Sequence, residues 1–230
     1  EDHIDEYIDP STERGKCLVK TICDAMGFDS LNYQSLDGML EAIGIDRDKE
    51  ALELAARRLS AHADRFTPVH ASFARFAAVL DELGIDEVDG AFLDLGLSSL
   101  QIDEKDRGFA YSADGPLDMR MDREDRLSAY DVVNEYSPQE LKRVLWQYGE
   151  EKNAGRIVNR IVENRPIKTT LELVEVIKSA LPAKVLAKKG HPAKQTFQAI
   201  RIEVNHELDS LKSFLERFDE ILNVDGRLVI

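Results

Sequence analysis

No run of apolar residues in this chain approaches the roughly 18 that a membrane-spanning helix needs, and no secretory signal pattern marks its first residues. No membrane partner and a cytoplasmic location are therefore expected. Cysteine is scarce: Cys17 and Cys23 lie six apart in one predicted helix, on poorly matched faces, and read as free thiols of a reducing compartment. The five histidines, at 3, 62, 70, 191 and 206, lack ligand spacing such as HExxH, so no metal site is expected. There is no G-x-S-x-G elbow for a hydrolase and no Walker A loop for phosphoryl transfer. Asp114, Asp118 and Asp122 do not follow an EF-hand pattern; beside Arg120, Arg123 and Arg126 they read as turn and anchoring carboxylates. Glycine is short where a nucleotide loop would concentrate it, because YIDPSTERGKCL (7–18) holds Gly15 alone. Internal repeats and low-complexity tracts are absent as well.

With 230 residues, 43% hydrophobic and 32% charged, the chain suits one domain with an insertion or two small domains. The net charge of −14 argues against a nucleic-acid partner, but its distribution does not. Residues 1–103 hold 9 Lys and Arg against 22 Asp and Glu, and residues 195–230 hold 4 against 7. Residues 104–194 hold 17 against 15, and within them KSALPAKVLAKKGHPAK (178–194) carries five lysines and no acid. A phosphate backbone would be met there, since basic groups displace its condensed counterions; a solvated helix end and loop is the plainer alternative.

Strand and helix signals alternate through the first hundred residues. Tyr7–Asp9 ends a first strand and Lys16–Met26 forms a helix; MLEAIGID (39–46) is a second apolar run ending in an acid. DKEALELAARRLS (48–60) has Leu52, Ala55, Ala56 and Leu59 on one helical face. A third strand falls within 65–73, a helix over 74–84 is stopped by Gly84, and VDGAFLDLG (88–96) reads as a strand buried on both faces. This rhythm predicts an α/β fold built on a doubly wound parallel sheet, with ligands at the carboxyl ends of its strands. Residues 97–127 then read as a long ordered loop. Helices are predicted at 137–151, with Ser137, Pro138 and Glu140 as its start, and at 169–182, opened by Thr169 and Glu172. In 197–222 the residues Ile200, Val204, Leu208, Leu211, Leu215, Phe218 and Leu222 mark one helical face, after which NVDG turns the chain into a strand, RLVI.

Two acids stand at strand ends. Asp46 can accept hydrogen bonds from both ribose hydroxyls of a nucleoside, or cap the next helix, although Asp48 is better placed to cap. Asp94 lies where the catalytic side of such a sheet belongs, or holds the turn through Gly96.

Four segments, DLGLSSLQID (94–103), RGFAYSADGPLDMRMD (107–122), YGEEKNAGRIV (148–158) and HPAKQTFQAIRIEVNHEL (191–208), resemble in order and spacing the bacterial small-subunit rRNA cytosine-N4 methyltransferases, the RsmH (MraW) family. The resemblance covers about residues 39–230. It implies a class I, Rossmann-like methyltransferase core over 1–103 and 195–230 that uses S-adenosylmethionine. That core is interrupted by a helical, RNA-recognising insert at 104–194. It also implies 16S rRNA of the small subunit as partner and an N4-methylated decoding-centre cytosine as product. By position, the cofactor contacts fall on Asp46, Phe73, Asp94 and Gln101 and on the first loop at Gly15, Lys16 and Cys17. Asp94 or Ser98 would orient the target amine. Lys184, Lys188, Lys189, His191, Arg201 and Asn205 would face RNA, with packing and capping roles open for the last three. The chain departs from the family in the first loop, where DPSTERGKCL stands for roughly DGTFGRGGHS, and after GRLVI, where the family's further core strands are missing. The alternative is thus a non-catalytic or truncated member that binds rRNA or the ribosome. A homodimer is left open.

Overall fold

A computed structural model describes residues 41–230. The expected strand at Tyr7–Asp9, the helix Lys16–Met26 and the loop residues Gly15, Lys16 and Cys17 lie outside the described residues. The chain divides into two compact units. One holds the described residues up to Asp46 with Leu52–Gly96 and Ser213–Ile230; the other holds Arg47–Ala51 and Leu97–Lys212.

In the first unit the short apolar run AIGID forms β1 (Ala42–Asp46), parallel to β2 (Phe66–His70), with Ala42 opposite Phe66 and Asp46 opposite His70. Gly44 leaves room for the Phe66 ring, which would stand 2.8 Å from a β-carbon there. β3 (Val88–Phe92) pairs in parallel with β4 (Leu222–Val229). Among the described residues the four strands make two parallel pairs and not the single sheet expected. Nor is β3 buried on both faces: Asp89 is exposed and Phe92 is 49% exposed. NVDG does turn the backbone, with Asp225 at φ 67°, but inside β4. The register there jumps from Val88–Leu222 to Gly90–Arg227, so the turn is absorbed as an irregularity in a paired strand.

Helix α1 (Lys49–Arg58) carries Arg57 and Arg58 in its last turn, where cations complement the helix dipole. α2 (Phe76–Leu83) ends at Gly84, whose φ of 71° lets its N–H turn back to the Asp81 carbonyl at 3.1 Å. Its buried face, Phe76, Val79 and Leu80, is extended by aromatics: Phe76 and Phe214 meet edge to face at 4.7 Å.

The second unit is helical, and its helices begin where side chains can satisfy the free N–H groups of a first turn. Reciprocal capping boxes start α3 (Ser99–Asp103; Ser98 with Gln101), α4 (Ala129–Glu135; Ser128 with Asp131) and α5 (Pro138–Gln147; Ser137 with Glu140). α6 (Ala154–Glu163) follows, and a fourth box, Thr169 with Glu172, starts α7 (Thr170–Ala180). Then come the short α8 (Ala183–Leu186) and α9 (Lys194–Asn205). Their apolar faces close on one core, with Leu141, Leu145, Ile157, Ile161, Leu173, Ile177 and Ile200 fully buried. Tyr136 donates to Glu203 at 3.0 Å, and burial together with that carboxylate pushes its hydroxyl up to about 12.

The apolar face expected to run unbroken through 197–222 is interrupted. His206 adopts φ 50°, ending α9; α10 (Glu207–Leu215) starts afresh, and Leu208 and Leu215 are exposed. The loop before α4 is ordered, as its composition suggested. Thr170 Oγ1 donates to the Ala113 carbonyl at 2.7 Å and accepts from Gly115 N–H at 3.0 Å. Gly108 and Gly115 are required by close approach: a β-carbon would stand 2.1 Å from the Pro116 carbonyl oxygen in one case and 1.9 Å from that of Lys105 in the other.

Candidate functional site

Parallel strands place the residues that follow them at the carboxyl end of their pair: Asp46 and Phe73 at that of β1 and β2, and Asp94 at that of β3 and β4. Asp46 closes β1, is exposed, and is tied through its carbonyl to Ala71 N–H at 3.0 Å. Capping of α1 belongs to Asp48, whose Oδ1 accepts from the N–H groups of Glu50 at 3.1 Å and Ala51 at 3.4 Å. Phe73 opens the one-turn 3-10 helix after β2, capped by Ser72, and is half-buried with its ring edge-on to Phe214 at 6.1 Å. Asp94 follows β3 two residues on, just after Leu93 N–H bonds the Val229 carbonyl at 2.9 Å. Its carboxylate is exposed and makes no hydrogen bond or ion pair among the described residues, so it does not hold the Gly96 turn. It is a free acceptor at a strand end.

Ser98 and Gln101 belong to the second unit. Ser98 Oγ accepts from Gln101 N–H at 3.3 Å while Gln101 Oε1 accepts from Ser98 N–H at 3.1 Å. Gln101, 4% exposed, donates through Nε2 to Asp48 Oδ2 at 2.7 Å. Asp48 in turn meets Arg107 Nη2 at 2.8 Å, and Arg107, 1% exposed, also donates to Glu50 at 2.9 Å and to the Met121 carbonyl at 2.9 Å. Burial works against the Asp48 charge, but the Arg107 guanidinium and the Gln101 amide outweigh it and hold the carboxyl below its ordinary range. Within the second unit, a buried ion pair and the Gln101 amide thereby tie the start of α1 to α3 and to the loop that follows it.

Of the residues expected to face RNA, Lys184, Lys188 and Lys189 are exposed on α8 and beyond it, and none of their side chains makes a hydrogen bond or ion pair among the described residues. His191 stacks on Tyr111 at 4.3 Å, and burial and the Lys178 charge lower its pKa, favouring the neutral ring. Arg201 is paired in two-pronged fashion with Glu207 at 2.6 and 2.8 Å. Asn205 is fully buried: Nδ2 donates to the Met119 carbonyl at 2.7 Å and Oδ1 accepts from Met121 N–H at 2.8 Å. The structure therefore commits Arg201 and Asn205 to internal contacts and leaves the three lysines outward.

The family model of the MraW methylase family matches residues 28–230. The chain belongs to that family. It is 51% identical over 193 residues to the ribosomal RNA small subunit methyltransferase H of Kocuria rhizophila, covering 83% of this chain and 59% of that relative. The same-named protein of Clostridium botulinum is 53% identical over 191 residues, covering 82% of this chain and 61% of the relative. That of Brevibacillus brevis is 47% identical over 219 residues, with 94% and 70% covered. The chain spans about three fifths of the length of the first of these relatives.

For an MraW methylase, the residues that sequence reasoning missed are those of the buried network. Asp48 was legible as a cap, because it precedes a helical run. Its pairing with Arg107 was not, since nothing local signals an ion pair across so many residues. One sign was available: S-L-Q at 99–101 after Ser98 spells a capping box, which predicts α3 inside the segment read as loop. Among the described residues no helix is long and apolar enough to cross a membrane, and no group of three or more His, Cys, Asp or Glu could hold a metal.

Proposed function

We propose that this chain methylates the N4 amine of a decoding-centre cytosine in 16S rRNA, using S-adenosylmethionine. The observation that carries the reading is the family match across 28–230 together with relatives named for small-subunit rRNA methylation. The residues present fit the cofactor: an exposed acid ends β1, an aromatic follows β2, and a carboxylate with no partner among the described residues follows β3. When bound, S-adenosylmethionine supplies an electrophilic methyl group on a sulfonium. Asp46 would accept the ribose hydroxyls, Phe73 would flank the adenine, and Gly15, Lys16 and Cys17 would form the loop beneath. Gln101 acts by fixing the start of α3, since its side chain is engaged with Ser98 and Asp48.

The cytosine amine is a weak nucleophile because its lone pair is delocalised into the ring. The chain's task is in-line positioning and acceptance of the amine proton. Asp94 is the group suited to orient that amine and take its proton, whereas Ser98 is occupied in capping α3. A base inside folded RNA must be turned out of its stack first. In this reading the helical unit holds the RNA, and Lys184, Lys188 and Lys189 meet its phosphates.

Isothermal titration with S-adenosylmethionine tests the reading. Saturable binding, lost in Asp46→Ala, supports it, and methylation of small-subunit particles read by mass spectrometry then fixes the product. RNA binding without cofactor binding would replace it by a non-catalytic RNA-binding member of the family.

A further inference from the structure

Trp146 is the chain's single tryptophan, and 63% of it is exposed. It lies on α5, whose inward face is Leu141, Val144 and Leu145, and it falls on the opposite side, one turn after Lys142 and Arg143. An indole left in water contributes little to the fold, although its size would make it one of the most stabilising side chains to bury. Its neighbours on that face do not form an apolar patch: Gln139, Lys142, Arg143 and Gln147 are all exposed. A protein partner or a second copy of this chain would find one ring ringed by polar groups, which is a poor interface core.

The surroundings are charged instead. The Arg143 guanidinium is held by Glu203 at 3.0 and 3.2 Å and lies 5.7 Å over the Tyr148 ring, so its position is fixed. The Lys142 amine makes no hydrogen bond or ion pair among the described residues; its Cε lies 3.9 Å from where a side chain at Gly155 of α6 would begin. Glu150, one turn beyond Trp146, is exposed and would repel a phosphate, so a bound strand runs from the indole towards Lys142. A flat aromatic beside the Lys142 amine is the chemistry that single-stranded nucleic acid requires: a π-face for a base and charge for its phosphate.

We propose that Trp146 is a stacking platform for an unpaired RNA base, with Lys142 meeting the adjoining phosphate. This rests on the RNA-binding reading above and extends it to a second contact surface, on α5. Because the chain has one tryptophan, its fluorescence reports this surface alone.

The test titrates the full chain with a single-stranded oligoribonucleotide and with the same sequence as a duplex, following both tryptophan fluorescence and the anisotropy of labelled RNA. The expected result is saturable quenching by the single strand and little by the duplex. Trp146→Ala weakens single-strand binding about tenfold, Trp146→Phe less than about threefold, and Lys142→Ala lowers both affinity and the salt slope. Binding seen by anisotropy without quenching, and unchanged in Trp146→Ala, overturns the platform while leaving the RNA-binding reading intact. No binding of either RNA overturns both. A fluorescence shift that follows protein concentration without RNA assigns the face to a second copy and overturns the proposal.

Discussion

Replacing Arg107 by alanine removes a guanidinium that is 1% exposed and holds Asp48 at 2.8 Å, Glu50 at 2.9 Å, and the carbonyls of Met121 at 2.9 Å and Arg120 at 3.2 Å. Asp48, also 1% exposed, would keep the Gln101 amide and its two backbone donors but lose the cation facing it. Removing one partner of a buried ion pair costs about 3–5 kcal/mol, because the remaining charge stays buried. Glu50 is 45% exposed and adds little. At about 2–4 °C per kcal/mol for a protein of this size, Tm should fall by roughly 6–20 °C. Urea unfolding followed by circular dichroism measures the free energy directly.

The pH dependence supplies a second, sharper readout. In the wild type the folded Asp48 pKa lies below the usual 3.8, so its contribution is present above that value and is lost as pH falls through the depressed one. In Arg107→Ala burial is opposed more weakly, the Asp48 pKa rises, and acidification relieves the buried charge. The stability gap between the two proteins therefore shrinks as pH falls towards and through the ordinary carboxylate value of 3.8. The double variant Asp48→Asn with Arg107→Met should recover part of the loss, since neither charge is then left buried alone. A loss under about 1 kcal/mol, or a gap that widens in acid, refutes the role given to this pair.

Three further outcomes are expected. His206→Gly should raise stability by about 0.5–1 kcal/mol, because a residue with a β-carbon now occupies φ 50°, ψ 37° at the end of α9; a lower Tm would contradict this. Gly115→Ala should lose about 1–3 kcal/mol in urea unfolding, since its β-carbon would stand 1.9 Å from the Lys105 carbonyl oxygen; wild-type stability would show that the two segments part easily. Replacing Lys184, Lys188 and Lys189 together by alanine should flatten the dependence of log K on log salt for single-stranded RNA by roughly 2, at about 0.7 per phosphate contact. An unchanged slope would remove α8 from the RNA surface.

Local chemistry made much of the fold legible. Ser137 with Glu140 and Thr169 with Glu172 announce helix starts because capping needs only residues three apart. Gly84 announces a helix end because only glycine takes its φ without strain. The apolar runs before Asp46 and before Asp94 were readable as strands; β1 ends in its acid, while β3 stops at Phe92, two residues short of Asp94. The break at His206 was not, because the apolar spacing continues across it while the backbone turns. Nor was the NVDG turn inside β4, where pairing with β3 keeps a turn sequence in a strand.

The family motifs named the candidate residues as a set, but the set mixes outward-facing and internally bonded side chains that sequence does not separate. Asn205 sits in the same motif as His191 and Arg201, yet it is sealed between α9 and the Met119–Met121 backbone. Gln101 sits beside Asp94 in DLGLSSLQID, yet its amide is taken up by Asp48 and Ser98. Sequence by itself settled the strand and helix alternation over residues 42–92, the starts of α5 and α7 and the family resemblance, because caps, periodicity and contiguous motifs are short-range. Tertiary structure alone decided which of those residues face outward and which are buried partners. The Asp48–Arg107 pair and the Asn205 contacts join segments far apart in the chain, and such partners become neighbours only once the helices have packed.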